Sequence, residues 1–319
     1  MAATTLQKRN IVKNKRERKR LIFYICMFAL PLLQFAIFYV YVNLNSLLMS
    51  FEKFVPIEGE TGYQTVFVGF ENYIKAFQFI FSPMCGEMIK YSLIFLGINL
   101  FVVTPFGLLF SFYIAKKFRL AGFFRVMLYL PSVLSAIVLA ILYHHMVSDI
   151  VPYVVKQING TVIPDPMSVS QESQFRMVLL YNLFLAFGTN TMLYTGAMTD
   201  INPSLIESSR LDGANSFQQF IHIYVPMIWP TVVTFIVTGL AGVFIEQMQL
   251  YSFFSNNAMA RTFGYFFYSQ SSMSSMFGTG SAMFTYSELS AMGIIITVFL
   301  VPVVLIIRKL LLKYGPSAH

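Results

Sequence analysis

Six stretches of this chain contain no Asp, Glu, Lys or Arg: 21–51, 91–115, 126–148, 177–199, 213–245 and 289–307. About 20 consecutive apolar residues carry an α-helix across a bilayer. A helix also satisfies its own backbone hydrogen bonds, which lipid cannot do. The runs predict an all-α polytopic membrane protein with six spanning helices, near 21–44, 91–115, 125–147, 176–198, 228–254 and 287–309. Composition agrees: 56% of the residues are hydrophobic and 11% charged, whereas a soluble domain carries about 25% charge.

A seventh uncharged run, 262–287, tests that count. It is rich in small and hydroxylated residues (Ser269, Ser271, Ser272, Ser274, Ser275, Gly278, Gly280), which lose little by staying wet. It reads as an external loop with a short interfacial or re-entrant helix; if it spanned, the C-terminus would change sides.

Basic residues set the orientation, because Lys and Arg accumulate in cytoplasmic loops. Lys8, Arg9, Lys13, Lys15, Arg16, Arg18, Lys19 and Arg20 precede the first run, Lys116, Lys117, Arg119 and Arg125 follow the second, Arg210 follows the fourth, and Arg308, Lys309 and Lys313 close the last. The opposite side holds fewer: Lys53, Lys75, Lys90, Lys156, Arg176 and Arg261. Both termini are therefore expected in the cytoplasm. The net charge of +8 does not point to nucleic acid, since the basic residues flank spans. The tail 1–20 reads as a topology determinant and a contact for anionic lipid, not as a cleaved signal peptide. Cys26 falls in the first span and Cys85 in an external loop, a placement that suggests neither a disulfide framework nor a metal site. The sequon Asn159-Gly160-Thr161 is short and common. His144-His145 is expected at the outer end of the third span.

Two external segments follow from this orientation. In 45–90, Ile74, Phe77, Gln78 and Phe81 recur at helical spacing after Gly69-Phe70-Glu71-Asn72-Tyr73, which predicts an amphipathic helix on the outer membrane surface. In 149–175, Asn159-Gly160 and Pro164-Asp165-Pro166 mark turns in a polar loop, which is either a plain connector or a docking site for an extracytoplasmic partner.

On the other side, 200–227 is a polar island between two apolar runs. Asn202 is a good N-cap with Pro203 at the first helical position; Ser204 with Glu207 fits a capping box in another register. Leu205, Ile206 and Ser209 can pack toward the membrane while Glu207 and Arg210 stay wet. Gly213 can take positive φ and end the helix. A second helix is expected through Phe217, Phe220, Ile221 and Tyr224 to Pro226, with Pro226 and Pro230 opening the fifth span. On physics alone this is a cytoplasmic helical hairpin.

Glu207-Ser208-Ser209 with Asp212-Gly213-Ala214, Phe220, Ile223, Pro226 and Pro230 resembles the coupling loop of bacterial ABC-importer permeases, with two serines where that family has two alanines. Leu130-Pro131, Gly69-Phe70-Glu71-Asn72-Tyr73 and the string Tyr286, Leu289, Ser290, Ala291, Gly293 are also similar to segments of the sugar branch. The resemblance spans roughly 20–315. One departure is Ser255-Asn256-Asn257-Ala258-Met259, where the family usually has Thr-x-Gly-Gly-Pro. The resemblance implies a type I ABC-importer permease fold in 21–315 and uptake of a sugar or oligosaccharide by alternating access. It also implies the partners: a second homologous permease subunit, two ATP-binding cassette subunits that carry the ATP and Mg, and an extracytoplasmic solute-binding protein. Glu207, Ser208, Ser209, Asp212, Gly213 and Ala214 would then contact the ATPase.

The chain has no Gly-x-x-x-x-Gly-Lys-[Ser/Thr] and no Gly-Lys dipeptide, so it is expected to bind no cofactor itself and not to be an enzyme. Polar residues within the runs are costly and mark either a wet path or contacts between helices. Glu246, Gln247, Gln249, Tyr251 and Asn182 are the candidates for a substrate path; Asn190 and Asn99 fit helix–helix bonding better. A permease for another solute, such as a glycerophosphodiester or polyamine, fits the same architecture. An ion-coupled secondary transporter fits less well, because Glu246 is the one acid so placed and no internal repeat is evident.

Overall fold

A computed structural model describes residues 15–57, 63–274 and 282–316. Lys8, Arg9, Lys13, Ser275, Gly278, Gly280 and His319 lie outside the described residues. In chain order the elements are α1 (Arg18–Met49), strands β1 (Glu52–Pro56) and β2 (Tyr63–Phe67), α2 (Glu71–Ile80), α3 (Pro83–Ala115), α4 (Ala121–Val133), α5 (Ala136–Asn159), α6 (Gln171–Thr199), α7 (Pro203–Leu211), α8 (Ser216–Gly242), α9 (Leu250–Phe254), α10 (Phe263–Met273) and α11 (Tyr286–Tyr314). Among the described residues six helices, α1, α3, α5, α6, α8 and α11, are long and apolar enough to cross a membrane. The number agrees with the hydropathy reading; several boundaries do not.

The second span starts earlier than 91. Ser82 caps α3 by accepting from the Cys85 amide, and Pro83 sits in its first turn, a favoured start. Cys85 is thus buried inside a helix and not in a loop. The expected third span, 125–147, is two helices. Pro131 costs α4 an intrahelical bond, the backbone turns extended at Leu134 and Ser135, and α5 begins at Ala136. That helix runs on through His144-His145 to Asn159, where Gly160 at φ +67° caps it. The histidine pair is therefore mid-helix, and most of the polar loop's first third is helical.

The fifth span begins at Ser216, not near 228, and ends at Gly242, not at 254. Proline 226 lacks an amide donor, and the helix takes it up with a wide turn over Phe220–Tyr224, in which the Val225 amide bonds the Phe220 carbonyl. Pro226 and Pro230 lie within the helix instead of opening it. At the other end the two glycines 239 and 242 weaken the helix, and the Gly242 carbonyl receives both the Ile245 and the Glu246 amides.

The external string Gly69-Phe70-Glu71-Asn72-Tyr73 has a physical role. Asn72 is buried, and its Nδ2 donates to the carbonyls of Ser50 (2.9 Å) and Glu52 (3.0 Å). This pins α2 to the end of α1 and to the β1–β2 hairpin, which the hydropathy reading missed. Phe51 packs on Phe67, Phe70 and Tyr73. Helix α2 forms as expected, but Ile74, Phe77 and Phe81 point outward while Ala76 and Phe79 pack against Phe266 and Phe284. Lys75 reaches Glu288 (3.0 Å) at the capped start of α11, and that hydrogen bond outweighs burial to raise the Lys75 pKa.

Helix α10 answers the question of the seventh run. Its 11 residues extend about 16 Å, roughly half the hydrocarbon thickness. It is buried through Phe263, Tyr265 and Phe266, so the described part of the run packs within the protein and does not add a span. At the opposite end of the molecule, Leu108, Phe112, Met198, Phe220, Tyr224 and Ile228 join α3, α6 and α8 in one core. The hairpin that contains α7 hangs from this core.

Candidate functional site

The hairpin is built by three local caps. Asn202 Oδ1 accepts from the Ser204 amide (3.1 Å), so the start of α7 uses Asn202 and not the Ser204–Glu207 register. At its end the Gly213 amide bonds the Arg210 carbonyl (3.1 Å) and the Ala214 amide bonds the Ser209 carbonyl (2.9 Å). This pair of bonds closes a Schellman motif, which needs a left-handed residue after the helix; Gly213 supplies it at φ +82°. Asn215 and Gln218 then form a reciprocal capping box at the start of α8. The spacing Asn-x-x-Gln is a readable signal for it that the sequence analysis passed over.

One face of the hairpin is fastened and the other is open. Ser209 is buried, its hydroxyl on the Ile206 carbonyl (2.8 Å), and Ile206 packs on the α3–α6–α8 core. Leu205, unlike Ser209, is not covered by the protein. Glu207, Ser208, Arg210 and Asp212 are exposed, with Leu211 at 89% and Phe217 at 65%. Exposed apolar side chains beside a carboxylate on a rigid turn are suited to docking in a complementary groove.

Sequence reasoning also missed Lys116 and Gln219. Lys116 Nζ donates to Gln219 Oε1 (2.7 Å) and Ser216 Oγ (3.0 Å). Burial lowers the Lys116 pKa, and the nearby Arg210 charge lowers it further.

The second candidate site is the stretch after α8. Residues 243–249 are irregular, and Met248 and Gln249 adopt positive φ (54° and 57°). Glu246 Oε1 accepts from the Met248 amide (2.9 Å). Asn182 is 9% exposed, and its Nδ2 donates to the carbonyls of Met248 (2.9 Å) and Val178 (2.8 Å). Gly264 lies so close that a Cβ there would sit 2.5 Å from the Ile245 and Glu246 backbone. Irregular backbone at membrane depth is tolerated only when packed in protein or lining a cavity.

The structure brings Glu246, Gln247, Gln249 and Tyr251 together at this break, on non-helical chain and the short α9 instead of along one helix. Asn182 joins them as a brace whose two amide N–H donors are both used. Gln249 Oε1 accepts from Ser252 (3.0 Å), and Tyr251 packs edge-on against Tyr268 (4.8 Å). Gln247 Oε1 is buried without a hydrogen-bond partner among the described residues. The two remaining asparagines stand apart: Asn99 bonds the Phe95 carbonyl of its own helix, and Asn190 packs where Gly107 lets α3 approach α6. Outside the break, Gln174 Oε1 receives the Met259 and Ala260 amides (2.8 and 2.9 Å), which fixes the string Ser255–Met259. Among the described residues no group of three or more His, Cys, Asp or Glu could hold a metal ion.

The family model described as the binding-protein-dependent transport system inner membrane component matches residues 103–313. The arabinooligosaccharides transport system permease protein AraP of Bacillus subtilis (strain 168) is 25% identical, covering 89% of this chain and 87% of its own. The polygalacturonan/rhamnogalacturonan transport system permease protein YteP of the same strain is 22% identical, covering 96% and 94%. A chain of the bacterial alginate ABC transporter, solved in complex with an alginate pentasaccharide-bound periplasmic protein, superposes with a TM-score of 0.70 over 95% of this chain and 98% of its own, at 20% identity. The likeness in structure establishes the fold.

Proposed function

This chain belongs to the family of binding-protein-dependent transport system inner membrane components, and on that premise we propose that it is the membrane-spanning subunit of an ATP-driven importer for a sugar or oligosaccharide. The observation that carries this reading is the hairpin: a capped turn with an open face, seated on the ends of three spans. The cargo class is supported by the relatives' oligosaccharide systems and by the hydrogen-bonding groups and tyrosine at the break. Both termini and the hairpin lie in the cytoplasm, as the Lys and Arg distribution supports.

In this reading a second permease completes the path, two ATP-binding subunits dock below with their ATP and Mg, and a solute-binding protein delivers cargo above. The chain itself catalyses nothing. Closure of the ATPase pair on ATP carries α7 with it, through Glu207, Ser208, Leu211 and the turn Asp212-Gly213-Ala214. The hairpin is seated on the core that joins α3, α6 and α8, so the spans rock together from inward- to outward-facing. The unpaired Gln247 oxygen costs about 1–3 kcal/mol while buried, which a sugar hydroxyl would relieve once the path opens to it.

The test is purification of the tagged protein from its native membrane in mild detergent, with the co-purifying chains identified by mass spectrometry. A second permease, an ATP-binding subunit and a solute-binding protein are expected, and the last is then screened against glycans. Repeated recovery of this chain alone under crosslinking would overturn the reading.

A further inference from the structure

Helix α3 ends at Ala115, and Lys116 is the first residue past it. The ammonium lies 5.2 Å from the Phe112 ring centre and 5.9 Å from that of Phe118. It makes no ion pair among the described residues and is held instead by neutral oxygens in the first turn of α8, on Ser216 and Gln219. The position suits a cation, since it follows a helix C-terminus. Gln219 is 1% exposed, and its Nε2 donates onward to the Ala214 carbonyl (3.1 Å). That carbonyl belongs to the residue after Gly213, at the tip of the Schellman turn. A single polar chain therefore runs from the end of one span, through a buried glutamine, to the turn of the hairpin.

We propose that Lys116 is a positioning residue that latches the hairpin to α3, so that motion imposed on the hairpin reaches α3 and α6 as well as α8. The packing beside the latch fits a rigid joint: Phe112 of α3 meets Phe220 (5.0 Å) and Tyr224 (4.9 Å) of α8. Beside Phe112, the Ser111 hydroxyl donates to the Thr191 carbonyl of α6 (3.0 Å). Apolar packing alone lets surfaces slide, whereas an ammonium with two fixed acceptors resists shear. Without the latch the hairpin still docks on its ATPase, but part of the stroke is lost between hairpin and spans.

The transport consequence rests on the proposed function; the latch itself does not, and the experiment separates them. Amide hydrogen exchange over 213–220 is measured in the purified full-length chain, and ATP-dependent uptake and ATP hydrolysis in the reconstituted complex. Lys116→Met is expected to raise exchange over 213–220 by about tenfold, the scale of one lost hydrogen bond to a charged group. Uptake should fall about tenfold while hydrolysis persists. Gln219→Met is expected to do the same, the double variant no worse than either, and Lys116→Arg to restore most of both readouts. Wild-type exchange in both single variants overturns the latch whether or not the chain transports. Faster exchange with undiminished uptake overturns the coupling role and leaves a local clasp. A wild-type complex without ATP-dependent uptake overturns the proposed function, and the coupling role with it.

Discussion

Gly213 offers a test in which one backbone angle decides the outcome. Its φ is +82°, and an ideal Cβ built there meets no atom within 4 Å. Substitution within this chain is therefore opposed by conformation and not by packing. Left-handed backbone costs an L-residue about 1–2 kcal/mol; for Gly213→Ala roughly 0.4–1 kcal/mol returns, because the unfolded chain loses freedom too. A net cost near 1 kcal/mol would reduce the population of the closed turn about fivefold against its frayed form. Val is β-branched and should lie well above that cost, whereas Asn visits this region readily. ATP-dependent uptake in reconstituted vesicles should rank Gly213 first, then Asn, Ala and Val, with the amount of co-purified ATPase following the same order. Gly213→Asp keeps much of the tolerance of Asn and adds a charge. It should reach the membrane yet not transport, and its difference from Asn isolates the electrostatic contribution. Wild-type uptake by Gly213→Val refutes the backbone argument. Asn as poor as Val refutes it differently, by showing that the docked partner leaves no room for any side chain.

Asn182→Leu removes two hydrogen bonds at a buried position and should lower stability by about 1–3 kcal/mol, read as a lower melting temperature in detergent; an unchanged melt refutes its role as a brace. Gln247→Ala should weaken uptake without lowering membrane abundance, because its amide oxygen supports nothing in this state; wild-type uptake would remove it from the path. Gly264→Leu drives a side chain into the Ile245–Glu246 backbone and should cost about 1–3 kcal/mol or more, with loss of both melting temperature and uptake; a wild-type melt would mean that α10 does not approach so closely.

The number of spans and the hairpin were legible because each rests on a signal that one segment carries by itself. Uncharged length reports a span, and Asn202-Pro203 with Gly213 reports a short capped helix. The helix ends were not legible where the deciding partner is remote in sequence. The start of α3 did carry a local signal, Ser82-Pro83 as cap and first-turn proline, but the charged residues Glu87 and Lys90 inside the helix hid it from a reading by uncharged length. Pro131 did signal a break, but a single proline is also compatible with a kinked, continuous span. Lys116 looked like one more basic residue past a helix, since its partner Gln219 is a hundred residues away.

The break after α8 shows most clearly why polar residues in an apolar run are hard to assign from sequence. Glu246, Gln247, Gln249 and Asn182 carry the same kind of warning, that an uncompensated polar group there is expensive. Their polar atoms are spent differently. Glu246 returns a bond to the Met248 amide that the interrupted helix no longer supplies, and Asn182 holds the carbonyl of that same residue. Gln249 is occupied by Ser252. These three bonds stabilise an irregular segment that lipid would otherwise forbid. Gln247 sits within the same segment, yet its oxygen is left over. A polar atom that supports no structure and remains buried is the one whose cost calls for another explanation, and a partner that arrives only in another state of the cycle provides it.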